Sequence, residues 1–285
     1  MDINKRFPGK RVIITGAGSG LGRALALEFA AMNWNIAIAD IDRERARETE
    51  ALVDRRGGAG LVIECDVTKP ADLVRALEMV KKKWKGVDVL VNNAGVAAAG
   101  YFEKIPLDRW DWIIDINLKS IIHGCRAFIP QFKKQGSGYI VNVASNAGIT
   151  CLPEMGSYNV TKAAVISASE TLRTELSPGN IGVSVACPTF FRTNLMDRFT
   201  SPDERQRHMA EKFFEKSRMT AEKIARHIIR SIEQNRLYVI TQKDGKFTWW
   251  AKRHFPELYF AVSSYIYRKG LMEKYLGITP DQSRA

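Results

Sequence analysis

Tyr158 and Lys162 stand four residues apart, and Ser145 lies thirteen residues before Tyr158. A hydroxyl, a phenol and an ammonium in this order form a set able to move a proton on and off an alcohol oxygen. Residues i and i+4 share one helical face, so a helix through this stretch brings the Lys162 ammonium near the Tyr158 phenol. An unperturbed phenol has a pKa of about 10, too high for a base near neutral pH. A neighbouring cation favours the phenolate and lowers that value, which suits acid–base work at physiological pH. Ser145 follows the apolar run Tyr139-Ile140-Val141-Asn142-Val143. A hydroxyl at the C-terminal end of a parallel strand lies where open sheets bind ligands, within reach of a substrate oxygen.

The second chemical element is a glycine-rich turn, Thr15-Gly16-Ala17-Gly18-Ser19-Gly20-Leu21-Gly22. It follows the β-branched run Arg11-Val12-Ile13-Ile14, which reads as a buried strand, and it opens an apolar helical stretch from Leu21 to Ala30. Glycines let the backbone turn tightly and approach a pyrophosphate, whose charge then meets a helix N-terminus. Gly16, Ser19, Gly20, Leu21 and Gly22 are the candidate contacts. The next strand, Asn35-Ile36-Ala37-Ile38-Ala39, ends in Asp40, where an acid is expected to meet an adenosine ribose. A carboxylate accepts hydrogen bonds from a ribose 2′-OH and repels a 2′-phosphate, so Asp40 favours NAD over NADP. Arg43 and Arg45 follow closely and leave some NADP use open.

Further runs that read as strands are Leu61–Cys65, Val87–Val91, Tyr139–Val143, Ile181–Ala186 and Leu237–Ile240, with helical stretches between them. One helix is expected over Tyr158–Leu176, ended by Pro178-Gly179, and another near Leu118–Phe132. This alternation predicts an α/β fold: a Rossmann-type, doubly wound parallel sheet in three layers. With 285 residues, 45 % of them hydrophobic, the chain is long enough for one large core, and it contains no linker or internal repeat that would divide it.

On these motifs the chain resembles the short-chain dehydrogenase/reductase family, in its compact single-domain branch, over roughly residues 8–240. Gly16, Gly20 and Gly22 match the family's T-G-x-x-x-G-x-G. The resemblance implies an adenine contact from Asp66, in the pair Asp66-Val67. It assigns Asn92-Asn93-Ala94-Gly95 to the segment beside the cofactor, so Asn93, Ala94 and Gly95 join the candidate cofactor contacts. It makes Asn117 the asparagine that kinks a helix and holds a water leading to the lysine. Asn117, Ser145, Tyr158 and Lys162 then form a catalytic tetrad, with Tyr158 and Lys162 also touching the cofactor. Cys187-Pro188 and Thr193 match the segment that binds the nicotinamide carboxamide. Two positions depart from the family pattern: Thr189 stands where glycine is usual after the proline, and Ala144 where a second serine is common.

The stretch expected to form a helical substrate lid, 189–219, holds Phe190, Phe191, Leu195, Met196, Phe199, Met209, Phe213 and Phe214 among charged residues. An apolar lid suggests a hydrophobic alcohol or ketone: lipid-like, steroid-like or aromatic. A C-terminal extension, 244–285, is unusually aromatic, with nine Phe, Trp and Tyr between Phe247 and Tyr275. Pro256 suits the first turn of a helix whose Phe255, Tyr259, Val262 and Ile266 share one side. Two readings of it stay open: a cap on the core or on a neighbouring subunit, or a basic aromatic helix at a substrate entrance or a membrane surface.

The net charge is +12, and residues 191–285 carry 19 Lys/Arg against 11 Asp/Glu. A solvated basic face, attraction to an anionic substrate or lipid, and nucleic-acid binding compete for this excess. No nucleic-acid module is recognisable, so no nucleic-acid partner is expected. Cys65, Cys125, Cys151 and Cys187 form no C-x-x-C pair, and the four histidines show no ligand spacing, so no metal is expected. The N-terminal residues contain no secretory h-region and no stretch is long enough to span a bilayer, which together with the cysteines predicts a cytoplasmic protein.

These observations converge on NAD-dependent interconversion of a secondary alcohol and a ketone. A reading from another class is an NAD-binding sensor or scaffold with little turnover. The resemblance further implies a homodimer or homotetramer, paired through the helices of Leu118–Phe132 and Tyr158–Leu176.

Overall fold

The computed structural model describes residues 2–191 and 193–279. Seven strands form one parallel sheet in the order β3-β2-β1-β4-β5-β6-β7. In chain order they are β1 (Arg11–Thr15), β2 (Asn35–Asp40), β3 (Ala59–Glu64), β4 (Val89–Asn92), β5 (Gly138–Val143), β6 (Ile181–Ala186) and β7 (Tyr238–Val239). The connecting helices begin with α1 (Ile3–Arg6), α2 (Gly20–Ala30), α3 (Arg43–Arg55) and α4 (Pro70–Trp84). They continue as α5 (Leu107–Ile114), α6 (Ser120–Gln135), α7 (Ala147–Thr150) and α8 (Gly156–Glu175). The last five are α9 (Glu204–Lys216), α10 (Ala221–Glu233), α11 (Lys243–His254), α12 (Pro256–Arg268) and α13 (Leu271–Leu276).

The layering follows from side-chain alternation. Successive strand residues point to opposite faces, so β1 sends Val12 and Ile14 to one side and Ile13 to the other. The first side is covered by α2, α3 and α10, through residues such as Leu25, Val53 and Ile228. The second is covered by α4, α6 and α8, through Leu73, Phe128 and Val165. Both faces are therefore dry, and central strands of this kind read as near-continuous apolar runs, as Val12-Ile13-Ile14 of β1 and Ile36-Ala37-Ile38-Ala39 of β2 do.

The helix boundaries have local causes. Pro70 occupies the first turn of α4, where its missing N–H is no loss. The Asp42 carboxylate caps α3 by accepting from the Glu44 and Arg45 N–H groups, each at 3.1 Å. Gly136, at φ 68°, ends α6 in the left-handed conformation.

Several strand limits differ from expectation by one or two residues. β3 starts earlier, at Ala59, and ends at Glu64; β4 starts at Val89. β7 is only Tyr238–Val239, because it pairs with β6 at two positions alone, Val185↔Tyr238 and Ala186↔Val239. The helix expected over 158–176 starts two residues earlier, at Gly156, and that near 118–132 runs as Ser120–Gln135. The lid region forms a 3₁₀ turn, Asn194–Arg198, followed by α9. The expected extension, 244–285, is built from α11, α12 and α13, and its residues 280–285 lie outside the described residues.

Candidate active site

The strand order reverses direction between β1 and β4. Open α/β sheets bind ligands at such a point. A cleft of about 1510 Å³ begins there and runs to the lid and the C-terminal helices. That exceeds the roughly 300–1,000 Å³ of a single-ligand site, so two ligands end to end have room.

The floor of the cleft is the glycine turn. Gly16 sits at φ 64°, and a Cβ there would lie 2.9 Å from Ala94 Cα. A Cβ on Gly22 would lie 2.1 Å from the Gly16 carbonyl oxygen, a distance that no side chain can adopt. Ser19 precedes α2 in extended conformation and gives it no side-chain cap, so the first-turn N–H groups of Gly20, Leu21 and Gly22 have no capping acceptor. A helix N-terminus of this kind suits a phosphate. Across the switch point, Thr15 Oγ1 accepts from the Asn93 and Ala94 N–H groups at 3.0 and 3.1 Å, and Asn93 Nδ2 donates to the Thr15 carbonyl at 2.9 Å. Those bonds lock the Asn93-Ala94-Gly95 segment against the turn.

Asp40 is fixed at the end of β2. Its carboxylate accepts from the Gly18 N–H at 2.7 Å and the Asp42 N–H at 3.0 Å, and it faces the cleft. The two arginines that follow are placed differently. Arg43 lines a shallow depression beside β3, away from the cleft, while Arg45 lines the cleft but pairs with Asp42 at 3.4 Å and Asp197 at 3.2 Å. Asp66 and Val67 form the opposite wall. Burial pushes the Asp66 carboxyl up, but hydrogen bonds from Thr68 outweigh that and hold it below its ordinary value. The turn, the uncapped helix and the pinned carboxylate together fit an adenine dinucleotide.

Midway along the cleft stand Ser145, Tyr158 and Lys162. Ser145 follows β5 and accepts the Ala147 N–H at 3.1 Å, which orients its hydroxyl; that hydroxyl is hydrogen-bonded to the Tyr158 phenol. Lys162 donates to the Val143 carbonyl at 3.1 Å, and its Nζ lies 5.7 Å from the centre of the Tyr158 ring. The long helical passage before them changes pitch: α5 runs into a π-helical segment, Asp115–Lys119, and then into α6. Asn117 in that segment is fully buried, accepting from Val96 N–H at 2.8 Å and donating to the Val96 carbonyl at 2.9 Å. Its Nδ2 also reaches Thr161 Oγ1, one residue before Lys162, at 3.4 Å. Pro188 and Thr193 lie in the wall near the lid.

One electrostatic expectation is corrected. A Tyr158 phenol lowered by Lys162 is not what burial leaves. Desolvation pushes the phenol up to about 12, and the Ser145 hydrogen bond offsets only part of that rise. Lys162 is itself desolvated and is pulled down to about 8. A buried cation 5.7 Å from the ring, bonded to a carbonyl, does not overcome the cost of a buried phenolate. Near neutral pH the phenol is a proton donor and the ammonium is still charged.

The departure at Thr189 has a tertiary complement. Its methyl lies 3.0 Å from where a Cβ on Gly245 of α11 would stand, so the extra side chain occupies space that a glycine leaves free. The Thr189 N–H donates to Gln242 Oε1 at 3.0 Å, tying the loop to the residue just before α11.

A polar cluster at the far end of the cleft escapes the sequence reading. Glu154, at φ 60°, accepts from Arg205 Nη2 at 2.5 Å, Gln206 Nε2 at 2.7 Å and the Tyr267 hydroxyl at 3.0 Å. Arg205 also pairs with Glu273 at 3.6 Å. The cluster joins the loop before α8, the lid helix α9 and the tail helices α12 and α13. Its members, from Glu154 to Glu273, span 119 positions of the chain (273 − 154), and no local pattern marks them. The one local oddity is the non-glycine positive φ of Glu154, which only coordinates reveal.

The family model of the short chain dehydrogenases matches residues 10–204. The probable oxidoreductase EphD of Mycobacterium tuberculosis is 37% identical over 186 residues, which are 65% of this chain and 31% of that protein. The chain therefore spans about a third of that relative's length. The CLA biosynthesis dehydrogenase/reductase of Lactiplantibacillus plantarum is 31% identical over 258 residues, with 84% of this chain and 90% of that protein covered. Among solved structures, a short chain dehydrogenase/reductase from Burkholderia phymatum in complex with NAD aligns with a TM-score of 0.84 and 29% identity, over 89% of this chain and 96% of that one. The chain belongs to the short-chain dehydrogenase/reductase family, a family of oxidoreductases.

Proposed function

We propose that this protein interconverts a secondary alcohol and a ketone with NAD(H), acting on an apolar substrate. The observation that carries the reading is the juxtaposition of Ser145, Tyr158 and Lys162 midway along a cleft whose other end is the Gly16–Gly22 turn and Asp40. When bound, the nicotinamide donates or accepts the hydride. Tyr158 gives its phenolic proton to the carbonyl oxygen in reduction and takes it back in oxidation. Ser145 holds that oxygen by a hydrogen bond. The Lys162 charge stabilises the phenolate formed at Tyr158 Oη and takes up the nicotinamide ribose, and Asn117 supports the proton path that ends at Lys162. Pro188 and Thr193 face the carboxamide, Asp66 the adenine, and Asp40 the adenosine ribose.

The apolar substrate class rests on the lid. Phe190 stacks on Phe213 at 4.6 Å between ring centres and meets Phe214 edge-on at 5.5 Å, and all three rings line the cleft. Consumption of NADH and of NADPH with a panel of apolar ketones, followed by absorbance, tests the proposal. Turnover with NADH and a clear preference over NADPH are expected, and Asp40→Ser narrows that preference by removing the repulsion of a 2′-phosphate. Firm NADH binding with no turnover on any ketone or alcohol would instead favour a sensor or scaffold.

The same reading carries a homodimer. Ile122 on α6 and Val160 on α8 are 42% and 47% exposed, on the two helices through which the family resemblance implies pairing. Burying such side chains across a two-fold axis is favourable. Sedimentation at micromolar concentration is expected to give a dimer or larger species, and a single monomeric mass would rule this out.

A further inference from the structure

The three C-terminal helices leave several of their large apolar side chains in water. Helix α12 has no buried residue in its thirteen. Leu258, Val262 and Tyr265 are 63%, 49% and 53% exposed and recur at i, i+4 and i+7, on one helical face. The patch continues into α11 through Phe255, Trp250 and Phe247, whose rings touch in series at 5.7 and 6.3 Å between centres. It continues into α13 through the exposed Leu271 and Tyr275. Soluble proteins seldom expose a run of this kind unless something covers it.

Two further observations say what the cover is. First, Lys243–Tyr275 holds seven Lys and Arg against three Asp and Glu. One of those acids, Glu273, is buried against Arg205, whereas Lys246, Arg253, Arg268, Lys269 and Lys274 are exposed around the apolar patch. An apolar surface with a cationic margin complements an anionic lipid interface. Secondly, Phe247, Trp250, Phe255, Leu258 and Val262 are both wall of the cleft and outer surface, so the patch borders the mouth of the cleft. A second copy seated on this surface would close that mouth, whereas a bilayer seated there would open it onto lipid. Among the described residues no helix is long and apolar enough to cross a membrane, so such contact is peripheral.

We propose that α11–α13 dock this protein on an anionic lipid surface with the mouth of the cleft facing the bilayer, from which an apolar substrate enters. The docking stands on the surface alone; the route of entry rests on the function proposed above. The test is co-sedimentation of the full chain with vesicles of phosphatidylcholine, and with vesicles of phosphatidylcholine and phosphatidylglycerol in equal parts. Binding is expected to the mixed vesicles at low salt and to fall as salt rises, since the Debye length shortens to about 8 Å at physiological ionic strength. The pair Arg268→Gln and Lys269→Gln is expected to weaken it on the order of tenfold or more. The pair Tyr265→Ser and Leu271→Ser is expected to weaken it by removing apolar contact. None of these four side chains lines the cleft, so turnover of a small water-soluble ketone stays at the wild-type rate in both variants. No binding to the mixed vesicles at low salt overturns the proposal. So does self-association of the wild type that the Tyr265→Ser, Leu271→Ser pair abolishes, because a second copy then covers the patch. A wild type that binds vesicles but reduces no ketone leaves the docking intact and refutes the proposed function instead.

Discussion

Tyr158→Phe is expected to lower turnover by about 10²–10⁴-fold, the range that a positioned general acid or base contributes, while the dissociation constant for NADH stays close to wild type. The substitution keeps the ring that packs beside Lys162 and removes only the hydroxyl that Ser145 holds. Asp40 and the turn are untouched, so the adenosine half still has its contacts. Single-turnover kinetics with an apolar ketone, alongside fluorescence titration with NADH, separate the two quantities. Wild-type turnover in the variant would remove Tyr158 from the mechanism. A pH profile of kcat/KM for reduction adds a second reading of the same site. Tyr158 keeps its proton up to about 12, whereas Lys162 releases its own near 8, below its ordinary value. The rate is therefore expected to be level below pH 8 and to fall above it, as the charge that stabilises the phenolate is lost. Lys162→Met is expected to give a low rate without that limb.

Gly22→Ala is expected to weaken NADH binding by roughly ten- to a hundredfold, the worth of a displaced hydrogen bond to a charged group, about 1.5–3 kcal/mol. The added carbon would lie 2.1 Å from the Gly16 carbonyl oxygen, 2.7 Å from Asn93 Nδ2 and 2.8 Å from the Gly16 carbonyl carbon. Two of these are backbone atoms of the turn itself, and the third is the side chain that ties β4 to it. Relief requires the turn and α2 to separate, which moves the uncapped N–H groups away from a pyrophosphate. Overpacking also costs stability, about 1–3 kcal/mol. Gly136→Ala is the informative companion. It too carries a positive φ, 68°, but nothing lies within 4 Å of its added carbon. It is expected to cost about 1–2 kcal/mol from the left-handed backbone alone and to leave NADH binding unchanged. Isothermal titration and thermal unfolding of the two variants decide the matter. Equal NADH affinity in Gly22→Ala and wild type would show that the turn does not cradle the cofactor.

Much of this protein was legible from residue order because its determinants are local. The runs Val12-Ile13-Ile14 and Ile36-Ala37-Ile38 are apolar at every position, as strands buried on both faces must be, and they predict the parallel sheet without coordinates. The i, i+4 spacing of Tyr158 and Lys162 and the glycines of the turn are likewise short-range facts, set by helical pitch and by the room a backbone needs. Strand ends were less legible: β7 is two residues long because β6 pairs with it at two positions, Val185↔Tyr238 and Ala186↔Val239, and pairing is a property of two segments. The tertiary structure alone decided the quantities that depend on distant neighbours. Burial, not the cation four residues away, governs the Tyr158 phenol, since desolvation sums over every element packed around it. Thr189 is accommodated because Gly245, 56 positions on, leaves space for its methyl. Glu154, Arg205 and Glu273 meet across three elements. The aromatic stripe of the tail was visible in the chain, but whether it faced a core or water depended on what folded against it. Leu258, Val262 and Tyr265 stay in water because the sheet's helices already cover both of its faces, leaving α12 only the rim of the cleft to rest on.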